Sequence, residues 1–89
     1  MARYEIPQPD GSMLAQNGGS ADALYELGMM HAAGRDVPLD LVAAHKWLNI
    51  AAARGNADAR RIRMELAEEM SRTEIVEAQK QARQWMTMH

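Results

Sequence analysis

The chain has 89 residues, 47% hydrophobic and 25% charged, with sixteen alanines, no phenylalanine and no cysteine. Its length is that of one domain, and the lack of cysteine excludes a disulfide framework or a thiolate metal site. A net charge of −2 lacks the basic excess of a general nucleic-acid binder, and three Val, four Ile and two Thr are too few for a mostly-β fold. A core of Ala, Leu and Met calls instead for helices packed at close range.

Residues 1–19 read as an extension, partly disordered or a short helical stump. Pro7 and Pro9 disfavour helix around them, and Asp10-Gly11 is a turn signal. Met13-Leu14-Ala15-Gln16 is a short apolar patch closed by Asn17-Gly18-Gly19. The one early positive charge, Arg3, is followed by no apolar run of the kind a secretory signal needs. No stretch approaches the ~18 apolar residues of a membrane span. The reading is a cytoplasmic protein with no membrane partner.

Four helices follow. The first spans 21–33, with Ser20 as its cap and Gly34 as its stop. The second spans 41–54 after Asp40, and its stripe is Ala43, Ala44, Trp47, Leu48, Ala51 and Ala52, spaced three and four apart. The third starts after Asn56 and turns Ala59, Ile62, Leu66 and Met70 inward. The fourth opens on Ser71-Arg72-Thr73-Glu74, a capping-box pattern, and its stripe is Ile75, Ala78, Ala82 and Trp85. The links at 35–39 and 55–56 are short, so successive helices should pack antiparallel. The predicted fold is all-α, two antiparallel helical hairpins in an α/α superhelix.

An internal repeat supports this. Gly19-Ser20-Ala21-Asp22-Ala23 recurs as Gly55-Asn56-Ala57-Asp58-Ala59, a displacement of 36 residues. A helix pair of that period is a solenoid signature, because each hairpin buries one face only by stacking on the next. The echo fades where Leu27-Gly28 faces Arg63-Met64. Residues 20–55 thus form a full repeat and 56–89 a diverged capping pair.

The pattern Ala21-x-Ala23-x-Tyr25-x-Leu27-Gly28-x-Met30, with Gly34, Val37-Pro38-x-Asp40, Ala43, Trp47, Ala51-Ala52 and Gly55-Asn56-Ala57-x-Ala59, resembles a Sel-one-like repeat. These repeats are relatives of the tetratricopeptide repeats. The resemblance implies a scaffold or adaptor that binds other proteins and has no chemistry of its own. It also sets this chain apart at four positions. The family usually has an aromatic residue at His31, Gly at Asp36, and polar residues at Leu39 and Ile50. Gly28, mid-helix, costs ~1 kcal/mol relative to Ala. A large residue from the next helix approaching it closely would compensate, and Trp47 is the candidate.

Little in the sequence suggests catalysis. Gly18-Gly19 is followed by no phosphate-loop Lys, and Ser20 and Ser71 are accounted for as caps. His31 and His45 lie on neighbouring helices, and Asn49 or Asp58 could join His45, but no metal-ligand spacing is present. No catalytic residue, metal site or cofactor is assigned. Arg54, Arg60, Arg61 and Arg63 cluster, yet Glu65, Glu68 and Glu69 offset them, and Arg61 with Glu65 has ion-pair spacing.

By the same resemblance, the first helix lines a protein-binding groove. Its face would offer Asp22, Tyr25, Glu26, Met29 and Ala32, with Tyr25 and Met29 as apolar anchors for an unidentified protein or peptide. Leu24, Leu27, Gly28 and His31 would face the core. A short solenoid also leaves apolar ends. Leu39, Ile50, Trp85, Met86 and Met88 are therefore the candidates for exposed surface that supports a homodimer.

Overall fold

The computed structural model describes residues 20–88, and the readings made for 1–19 lie outside them. Four helices follow in order: α1 (Ala21–Ala33), α2 (Leu41–Ala53), α3 (Ala57–Ala67) and α4 (Arg72–Met88). No strand occurs among the described residues. None of these helices is long and apolar enough to cross a membrane.

Each boundary has a local chemical cause. The Ser20 hydroxyl accepts from the Ala23 N–H at 3.2 Å, the Asp40 carboxylate from Ala43 N–H at 3.0 Å, and the Asn56 side-chain carbonyl from Ala59 N–H at 2.9 Å. Three helices thus start on the same i, i+3 cap. At α4 both halves of the capping box form. Glu74 N–H donates to Ser71 Oγ at 3.1 Å, and Ser71 N–H donates to Glu74 Oε1 at 2.8 Å. Gly34 ends α1 at φ 68° with its N–H on the Met30 carbonyl. The next link folds back tightly: Asp40 N–H reaches the His31 carbonyl at 3.0 Å, and Val37 is buried beneath it. Asp36 has φ 67°, the left-handed conformation that glycine favours. The position where this chain differs from the repeat's usual Gly is therefore one that asks for Gly.

α2 is the centre of the packing. Its backbone lies closely against α1, α3 and α4, while α3 and α4 approach one another far less closely. The second pair therefore closes on α2 more than on itself. The core joins Leu24 and Leu27 of α1, Trp47, Leu48, Ile50 and Ala51 of α2, Ala59 of α3, and Ala82 and Trp85 of α4. Trp47 and Trp85 meet edge to face, with centroids 5.5 Å apart and planes at 81°, a geometry that places one ring's positive edge on the other's negative face. α4 reaches that contact because Ala78 and Ala82, both fully buried, keep its surface flat.

The residue opposite Gly28 is Leu48, not Trp47. A Cβ on Gly28 would lie 2.8 Å from Leu48 Cγ, 2.9 Å from Leu48 Cδ2 and 3.2 Å from the Leu48 backbone nitrogen. Neighbouring helix positions point ~100° apart, so Leu48 faces α1 while Trp47 turns to α4.

Two stability changes should follow. Gly28→Ala adds helix propensity but must push a fully buried leucine and its backbone, an overpacking cost of ~1–3 kcal/mol. Thermal melting should therefore show a loss. Asp36→Gly relieves the left-handed strain of a residue with a Cβ, which should raise stability by about 0.5–1 kcal/mol. An unchanged or lower melting temperature for that variant would contradict the account.

Candidate functional site

The proposed groove residues all lie on one helix. Positions 22, 25, 26, 29 and 32 form one face of α1. Asp22 and Glu26 are exposed, while Tyr25, Met29 and Ala32 are half-buried. Tyr25 and Met29 rest against the core cluster, one helical turn apart, each with part of its side chain still in solvent. The opposite face of α1 buries Leu24, Leu27 and Gly28, and His31 is half-buried beside them, with Nδ1 3.4 Å from the Pro38 carbonyl.

The acidic residues on this face each have a polar partner. The Asp22 carboxylate accepts from Asn56 Nδ2 at 3.1 Å, and Asn56 is also the cap of α3. One side chain therefore starts the second helix pair and ties it to the start of the first. Glu26 pairs with Arg35 at 3.9 Å, both well exposed; such a pair orders the rim and adds little stability. One repeat length further on, the matching positions of α3 carry an ion-pair ladder. Arg61 reaches Glu65 at 3.3 Å and Asp58 at 3.9 Å. The ladder borders a shallow depression of about 420 Å³ lined by Ala57, Arg60, Arg61, Met64, Glu65 and Glu68. The repeat displacement in the sequence marks these α3 positions. The Asn56 link was not legible there, because it depends on how the two pairs are set beside each other.

Two of the five self-association candidates need correction. Ile50 is 0% exposed and lies in the core cluster, and Trp85 is buried against Trp47. α2 is packed on by α1, α3 and α4, and the position where the repeat usually carries a polar residue is enclosed in the core. Met86 is half-buried. Leu39 and Met88 are open to solvent, at 63% and 77%.

α2 also buries a histidine. His45 is only 3% exposed, and its Nδ1 has no hydrogen-bond partner among the described residues. Burial, and secondarily the Arg63 guanidinium of α3, hold its pKa below the ordinary histidine value of 6.5. Arg63 itself donates to Asn49 Oδ1 at 2.6 Å, one turn along from His45. Among the described residues, no group of three or more His, Cys, Asp or Glu is placed to share a metal ion.

The geometry is thus one helical hairpin, with capped ends, a glycine at the crossing and a half-open apolar strip on its first helix. Residues 21–56 match the Sel1 repeat. The chain accordingly resembles the Sel1-like repeat family, over a stretch shorter than half its length. No curated protein and no solved structure matches it. The Sel1 repeat points to a protein–protein interaction module, and the matched segment includes the five α1 residues expected to line a groove as well as Asn56.

His45 gives a pH dependence with a definite sign. With its folded-state value lowered, the unfolded chain takes up a proton near the ordinary value while the folded chain does not. Stability is therefore full above that value and falls as pH drops below it. Melting temperature should decrease between neutral and mildly acidic pH. The decrease should be smaller in His45→Leu, which removes the buried unpaired nitrogen along with the titrating group.

Proposed function

We propose that the chain is a non-catalytic adaptor that takes up a segment of another protein along α1. Tyr25 and Met29 are the anchors, Asp22 and Glu26 the polar rim, and Ala32 the small residue that lets the bound chain lie close. The observation that carries this reading is the pair Tyr25 and Met29. They are two large apolar side chains one turn apart, half-buried, on the first helix of a repeat whose opposite face buries Leu24, Leu27 and Gly28. Half-covered aromatic and thioether groups are the usual material of binding hot spots, because the partner completes their desolvation. Asp22, bonded to Asn56, and the exposed Glu26 suit a polar rim around the segment.

Self-association, the alternative, has less to rest on. With Ile50 and Trp85 covered, its apolar contacts reduce to Leu39, Met88 and the half-buried Met86. Leu39 lies in the α1–α2 link and Met88 at the end of α4.

The test starts from a peptide-display selection on the wild-type chain, followed by titration of the selected peptides. The Tyr25→Ala, Met29→Ala double variant should weaken binding about tenfold or more while its helicity and melting temperature stay close to wild type. A large fall in melting temperature with binding to the folded fraction retained would make both residues structural.

A further inference from the structure

A second surface, on the other side of the hub, carries a different chemistry. Between α2 and the C-terminal half of α4 runs an open groove of about 400 Å³ whose walls include Lys46, Lys80, Gln84, Trp85 and Met88. It continues onto the outer face of α4, where Lys80, Gln84 and Met88 are joined by Arg83 and Thr87. From 78 to 88 α4 contains no acidic residue. The one carboxylate on the wall, Glu77, accepts from Gln81 Nε2 at 2.8 Å.

Lys46 is the unusual member. It is half-buried, and its ammonium sits 4.2 Å from the centre of the Trp47 ring. No carboxylate of the described residues pairs with it. Burial pushes its pKa below the usual lysine value. An ammonium that has lost water and gained only a ring face gains strongly from an anion brought to it. Beside it, Met88 is among the most exposed large apolar side chains described, and methionine adapts readily to varied apolar partners.

We propose that the α2–α4 groove binds an acidic peptide segment, with its carboxylates on Lys46, Lys80 and Arg83 and an apolar side chain against Met88. Charge complementarity selects this occupant: the wall offers three cations against a single engaged carboxylate, on a chain whose net charge is −2. The site shares no residue with the α1 face, so the chain could hold two partners at once.

The probe is a fluorescent peptide alternating glutamate and leucine, with its lysine–leucine counterpart as control, read by anisotropy. The glutamate peptide should bind saturably and weaken as salt is raised. The Lys46→Gln, Lys80→Gln variant should bind it about tenfold more weakly, and the Tyr25→Ala, Met29→Ala variant should bind it as wild type does. Lys80→Gln alone, at an exposed position, should weaken binding in the same direction and guards against a folding defect in the double variant. Equal affinity for both peptides, or full affinity in the lysine variants, would overturn the proposal. So would sedimentation showing a dimer that the same lysine substitutions dissolve, since a second copy would then be the occupant.

Discussion

The contact between Gly28 and Leu48 sets the spacing of the whole molecule. A helix pair normally keeps its axes apart by the thickness of two side chains. Here one side contributes none, and the backbone of α1 is met directly by a leucine that is itself fully buried. The propensity lost by placing glycine inside a helix is offset by contact area along the whole crossing. Once α1 and α2 are this close, Leu24 and Leu27 can reach the cluster that also contains Trp47 and Trp85. Tyr25 and Met29 are left at its margin, partly covered and partly free.

Much of this was legible in the amino-acid order, for reasons that differ by element. Helix starts were readable because a cap is a local event. Ser20, Asp40, Asn56 and the Ser71–Glu74 pair each act over three residues, and no distant neighbour is needed to satisfy them. The apolar stripes were readable because the period of a helix is fixed. Which neighbour each stripe meets was not. Trp47 and Leu48 are adjacent in sequence and serve different helices, and size alone favoured the wrong one for the space at Gly28. Ile50 and His45 fall outside the stripe and are buried all the same, because α2 is covered on more than one side. A helix enclosed in this way loses the amphipathic contrast on which the sequence reading depends. The α1 face follows from likeness to related helical hairpins, and its half-open character depends on the packing.

The surface divides by chemistry as well as by position. On α1 the polar groups around the apolar strip are carboxylates already engaged by Asn56 and Arg35, and on α3 the ladder from Asp58 through Arg61 to Glu65 balances itself. The α2–α4 side has cations in excess and a lysine whose ammonium lies over an indole. Arg54 lies 5.1 Å from the centre of the Trp85 ring, so each tryptophan of the edge-to-face pair also has a cation over its ring. Burying two large aromatic rings beside charged residues works because the long aliphatic stems of Lys and Arg cover apolar area while their heads stay near water.

The central place of α2 bears on how the molecule comes apart. In an ordinary solenoid the units are joined like beads, each leaning on the one before, so an end can fray while the rest holds. Here three helices share a single support, an arrangement closer to spokes than to beads. Damage to that support removes every neighbour's partner together, whereas losing α3 would still leave α1 and α4 docked. Unfolding should therefore be nearly all-or-none, with little room for a partly melted intermediate.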